Sequence, residues 1–255
     1  MKIGVAIIES LDDNERKTGK ELSESTLKYI SFQKEFLENE YFDVSTKNEF
    51  LDTLSNLYQK AVSEKKFYFL HFEIHGNKDG MVLKNNDFIS WATILPYLRN
   101  LNIFYQNNLS VYFAVCKGNN ILRFINHLER APFALMIGSF QDVYNIDIVN
   151  IFEEFYSKFF EKFSTLDAFL AIQKLSTKSE FTVITSVNII EILLKLESEN
   201  NDKAILLKAI DEHLIELCQI SDNIKIIVEN FRNEVVQIFK EYKVDKDFFL
   251  MSDLK

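Results

Sequence analysis

Two residues with reactive side chains each close an apolar run and each lead into a glycine. His75 follows the run 67–74 and precedes Gly76; Cys116 follows 109–115 and precedes Lys117-Gly118. A thiol attacks an acyl carbon as its thiolate, and a neighbouring imidazole favours that form and protonates a leaving amine. Such chemistry needs the two side chains within reach of each other, which strand ends at one edge of an α/β sheet provide. Gly76 and Gly118 keep backbone N–H groups accessible to a developing oxyanion. Each residue alone has a plainer reading. A cysteine ending a strand packs as a small hydrophobe, and a lone histidine is a structural or surface residue. The shared context of the pair favours the chemical reading.

Other candidates are weaker. His71, Glu73 and His75 alternate along one predicted strand, so all three share a face. They suit either a divalent metal or a hydrogen-bonded core network, and nothing nearby completes a metal site. Gly4, Gly76, Gly80 and Gly118 form neither a dinucleotide fingerprint nor a phosphate loop. No metal and no cofactor are therefore expected. Glu9 and Ser10 end the first apolar run on the same predicted edge, where they contact substrate or cap a loop. Cys218, near His213 in a helical pattern, reads as a packed thiol.

The elements that must position these residues alternate between strand and helix. Residues 3–8 read as a buried strand, 10–24 as a polar loop and 25–39 as a helix. A short strand at 42–45 and a helix at 48–64 lead into the strand 67–74. A hairpin at 81–89, a helix at 90–101 with Ser90 as N-cap and Pro96 inside, and the strand 109–115 follow. Residues 119–129 read as helix, 133–137 as strand, and the chain from about 146 as helical almost to its end. Ile224, Ile227, Val228, Phe231, Val235, Ile238 and Phe239 fall on one helical face. This order implies a mostly parallel central sheet flanked by helices. The expected division is a catalytic domain over 1–180 and a helical extension over 181–255.

Composition narrows the classes. Apolar residues make 47% and charged residues 26% of the 255, enough for a core with a wet surface. Two prolines and six glycines are too few for turn-rich sandwiches or propellers. The net charge of −9, with no basic stripe, argues against a nucleic-acid partner. Two cysteines give no disulfide framework, and no run reaches the length of a membrane span. A cytoplasmic location is the expectation.

The segment Leu70-His71-Phe72-Glu73-Ile74-His75-Gly76, with Gly80-Met81-Val82-Leu83 after it, resembles the strand-His-Gly-hairpin of clan CD cysteine peptidases. It is most similar to the CHAT branch of the caspase-like superfamily. Val111-Tyr112-Phe113-Ala114-Val115-Cys116-Lys117-Gly118 resembles the second catalytic strand. The run from Ala131 to Ser139, then Asp147, Phe155-Tyr156 and Ala168, is similar to the pattern after the cysteine. The resemblance covers roughly 67–175. It implies a caspase-like fold and peptide-bond hydrolysis, with Cys116 as nucleophile and His75 as general acid/base. It also implies an oxyanion hole from the N–H groups of Gly76 and Cys116. Ala114 stands where true caspases carry glutamine, so cleavage after aspartate is not implied. Asp142 and Asp147 lie where an acidic residue would line the first specificity pocket and select a basic P1 residue. Asp147 equally suits the start of the following helix.

The resemblance further implies a protein substrate, a protein activator or sensor, and a role in microbial defence or cell death. A catalytically silent caspase-like scaffold is the alternative, with a small-molecule binding domain behind it.

Overall fold

The computed structural model of the chain describes residues 2–126, 128–191 and 245–254. Cys218, His213 and the amphipathic run 224–239 lie outside the described residues, as does most of the expected helical extension.

Strands β1 (Ile3–Ser10), β2 (Leu37–Asp43), β3 (Phe67–Gly76), β6 (Ser110–Phe113), β7 (Leu135–Gly138) and β8 (Thr182–Thr185) form one sheet in the order β2-β1-β3-β6-β7-β8. The first five run parallel and β8 is antiparallel to β7. Between β3 and β6, β4 (Gly80–Val82) and β5 (Phe88–Ser90) make a hairpin that pairs with the end of β3. This arrangement fits the caspase-like α/β fold.

Both faces of the sheet are covered, which explains its continuous apolar runs. One face carries Ala6, Ile8, Leu70, Phe72, Ile74, Val111, Phe113 and Val115. It packs against α3 (Lys47–Glu64) and α4 (Trp91–Phe104) through Phe50, Leu54, Leu95 and Leu98. The other face carries Val5, Ile7, Phe69, Tyr112 and Ala114. It packs against α5 (Asn145–Lys162) and α6 (Thr165–Ile172), where Phe152, Phe155, Tyr156 and Phe160 fill the contact. Local signals agree with these boundaries. Thr46 and Glu49 form a reciprocal capping box at the start of α3, and Ser90 caps α4.

Four expectations need correction. The helix expected over 25–39 begins earlier and ends sooner. It comprises α1 (Thr18–Leu22), a π turn (Ser23–Leu27) and α2 (Lys28–Gln33), after which β2 starts at Leu37. Its first turn was hidden because Thr18 and Gly19 bond to buried carboxylates instead of showing an apolar period. The helix expected over 119–129 is a short 3₁₀ segment, Gly118–Phe124. The region from 146 is not helical throughout, since β8 lies within it. Thr182, Val183, Ile184 and Thr185 are a β-branched run, and they pair with β7 through Gly138. A boundary at 180 would therefore cut a strand from its sheet. Residues 245–254 also return to the main body: Phe249 and Leu250 join the core, and Ala131 N–H donates to Phe249 O at 3.0 Å.

Candidate active site

Alternation along β3 decides where its polar residues go. Leu70, Phe72 and Ile74 face α3 and α4, so His71, Glu73 and His75 face the side of α1 and α5. Alternation along β6 sends Val111 and Phe113 toward α4 and Tyr112 to the other side; Cys116, in the turn three residues past β6, accepts from Val143 N–H, and Val143 packs on that other side. Both reactive residues thus lie toward one face of the sheet.

Register sets the two strands side by side. β3 and β6 pair His71 with Tyr112 and Phe72 with Phe113, and Ala114 N–H donates to Phe72 O at 3.0 Å. The paired register stops at Phe72–Phe113: His75 and Gly76 pair with Val82 and Met81 of β4, and Cys116 lies in the turn three residues past β6, beside the end of β3. The backbones also close together there. A Cβ on Gly76 would stand 2.3 Å from Val115 Cγ1 and 2.6 Å from Cys116 O, so only glycine fits.

The turn after Cys116 is sharp. Lys117 adopts a left-handed conformation (φ 59°), rare for a residue with a side chain, and its N–H donates to Gln141 O at 2.8 Å. Gly118 N–H donates to Val115 O at 3.1 Å. That amide is already bonded, which corrects the expectation that Gly118 keeps its N–H accessible.

Each reactive side chain has its own partner. His75 Nε2 lies 2.9 Å from both carboxylate oxygens of Glu15, on the loop between β1 and α1. The imidazole is 53% exposed. Cys116 Sγ accepts from Val143 N–H at 3.4 Å and lies 3.9 Å from Val143 O. Burial pushes the Cys116 thiol up; Val143 N–H acts in the opposite sense, Asp142 adds to the rise and Lys117 subtracts from it. The net direction favours the thiol of Cys116 over its thiolate.

The other expected site residues separate. Asp142 is exposed on the loop beside Cys116 and pairs with Lys117 at 3.4 Å. Asp147 is buried in the first turn of α5. Its Oδ2 accepts from Lys178 N–H, Ser179 N–H and Ser179 Oγ–H at 2.8–3.0 Å. With that oxygen fully used, Asp147 clamps the 178–179 loop and does not suit a pocket wall. Glu9 is fully buried. Its Oε1 accepts from Gly19 N–H at 2.7 Å and its Oε2 from Tyr41 O–H at 2.5 Å. A substrate contact through Glu9 is corrected on the same ground.

His71 and Glu73 form a buried network. His71 Nδ1 meets Tyr156 OH and Nε2 meets Glu73 Oε1, each at 2.9 Å, while Thr18 Oγ1 donates to Glu73 Oε2 at 2.7 Å. This is the core-network reading of the alternating set. Among the described residues, no three imidazole, thiol or carboxylate groups gather as a metal cage. Glu15 was missed by sequence reasoning, because an acid in a polar loop carries no periodic signal.

Set beside known proteins, the chain matches no family model and no curated relative.

Proposed function

We propose that this chain is a cysteine endopeptidase in which Cys116 is the nucleophile and His75 the general acid/base. The observation that carries the reading is the approach of the Cys116 turn to the end of β3: the Cys116 carbonyl and Val115 crowd Gly76, the residue after His75, at the carboxyl edge of the sheet. His75 takes the thiol proton, and Cys116 sulfur forms a C–S bond to the scissile carbonyl carbon. The displaced electron pair resides on oxygen, facing the N–H groups of Gly76 and Cys116. The imidazolium then gives its proton to the leaving amine as the C–N bond breaks. In the second half, His75 takes a proton from water as the water oxygen attacks the thioester, the C–S bond breaks, and the imidazolium returns the proton to the leaving sulfur, restoring the thiol. Asp142, exposed beside Cys116, stays in this scheme as a substrate contact that favours a basic side chain.

The substrate in this reading is a protein, and the resemblance to CHAT proteases adds a sensor or activator and a role in microbial defence. A second reading, a silent caspase-like scaffold, is favoured by the raised thiol and its bonds to Val143. The two separate on labelling of native and His75→Ala protein with a peptidyl electrophile, followed by mapping of the modified cysteine by mass spectrometry. Fast modification of Cys116 that drops sharply in His75→Ala supports the protease. Equal, slow labelling of both puts the scaffold first.

A further inference from the structure

We propose that Glu15 is the positioning residue of the pair: its carboxylate holds His75 by Nε2 and leaves Nδ1 to serve the Cys116 thiol. This rests on the reading of His75 and Cys116 as a dyad. Glu15 stands 60 residues before His75, on the seven-residue loop 11–17. Both of its oxygens lie 2.9 Å from Nε2.

A lone surface ion pair contributes little, because two long side chains must be held in place. Here the carboxylate is built in. Glu15 Oε2 accepts from Asp12 N–H at 2.8 Å, and Glu15 N–H donates back to Asp12 O at 2.9 Å. Lys17 Nζ closes the loop by donating to Leu11 O. The far end is pinned in the core, where Glu73 accepts from Thr18 Oγ1–H and Glu9 from Gly19 N–H. Gly19 makes that docking possible, since a Cβ there would meet Glu73 Cγ at 2.8 Å and Ile7 Cγ2 at 2.9 Å. The two buried carboxylates of adjacent strands therefore fix the loop whose tip reaches His75.

The chemical consequence concerns one proton. A neutral imidazole carries a single N–H, and a carboxylate can only accept. With Glu15 at Nε2, the N–H sits there and the Nδ1 lone pair is free to take the thiol proton. Once His75 is an imidazolium, Glu15 also balances its charge. Burial pushes the Glu15 carboxyl up, but the His75 contact and the Asp12 N–H outweigh it and hold it below its ordinary value, so it is ionised near neutrality. The other charges near the pair are Lys17 beside Glu15, and Asp142 and Lys117 beside Cys116.

The test uses the full chain with iodoacetamide, reading alkylation at Cys116 by mass spectrometry across pH, together with ¹⁵N NMR of His75 to report its tautomer. Native protein shows His75 as the Nε2–H tautomer. Glu15→Gln, which keeps an acceptor for the Asp12 amide, and Glu15→Ala move it toward a mixture. Both slow Cys116 alkylation near pH 6.5 by roughly two- to fivefold, and Glu15→Asp recovers part of the rate. If His75→Ala collapses the alkylation while both Glu15 variants match native in rate and tautomer, Glu15 is only a surface ion pair and this inference is overturned with the dyad intact. An alkylation profile unmoved by His75→Ala removes the dyad itself.

Discussion

Strand β3 carries two imidazole–carboxylate contacts of the same 2.9 Å length on one face, and they sit in opposite surroundings. His71 with Glu73 is sealed in the core, with both ring nitrogens bonded and a further donor on Glu73. His75 with Glu15 lies two residues beyond the last sealed position, half exposed, with the carboxylate coming from a loop. The distance is equal, so distance does not assign the role. The first pair has no open valence and no route for a reactant; breaking it leaves buried polar atoms stranded. The second has a nitrogen to offer, and the turn after the next strand carries a thiol. Four residues along one strand separate a structural histidine from one suited to chemistry.

The largest test of that contrast exchanges each histidine for alanine. His71→Ala strands Glu73 Oε1 and Tyr156 OH in a sealed site and opens a cavity between β3 and α5. The expected loss of stability is about 3–5 kcal/mol in urea unfolding. His75→Ala exposes nothing new and changes stability by about 0.5 kcal/mol or less. The assignment of roles breaks if the two losses are equal, or if His75→Ala is the costlier.

Much of this contrast could be read from residue order. The strands at 67–74 and 109–115 stand out because burial on both faces gives long apolar runs, and the glycines at 76 and 118 mark where each stops. The alternation of His71, Glu73 and His75 showed one face but not how far burial extends along it. That depends on α5, whose Tyr156 arrives 85 residues later. Glu15 was illegible for a related reason: its partner is 60 residues away, and only the pinning of Thr18 and Gly19 aims the loop. Asp147 misled because position after a strand resembles a pocket wall, whereas its oxygen is fully used by the 178–179 loop. β8 carried its β-branched signal but sat within a stretch read as helical from about 146.

A second test separates the pairs by geometry. Gly76→Ala introduces a methyl 2.3 Å from Val115 Cγ1 and 2.6 Å from Cys116 O, so the end of β3 and the turn after β6 must part. The His71–Glu73 network lies deeper in the ladder and is left in place. Overpacking of this kind costs about 1–3 kcal/mol. Alkylation of Cys116 by iodoacetamide should fall to the level of His75→Ala, because the turn that carries Cys116 is pushed away from the end of β3. A Gly76→Ala protein that labels at the native rate would mean that the close approach of Gly76 to Cys116 has no bearing on the thiol.

The smallest expected effect is in the response to acid, where the loop carboxylate and a core carboxylate should move oppositely. Burial and the Glu73 charge hold the Glu9 carboxyl above its ordinary value, against Tyr41 and Gly19. The folded state then binds its proton more readily than the unfolded chain does, so the contribution of Glu9 is greatest in acid and declines as pH rises through that raised value. Glu15 is held below its ordinary value, so its contribution is present above the usual carboxylate range and is lost as pH falls through the lowered one. Urea unfolding of native, Glu9→Gln and Glu15→Gln proteins between neutrality and about pH 4 reads both slopes. The stability of native protein relative to Glu15→Gln should shrink in acid, from a starting difference under about 1 kcal/mol. Relative to Glu9→Gln it should grow. Parallel slopes would mean that the loop carboxylate is as much a part of the core as Glu9, and the division along β3 would lose its physical basis.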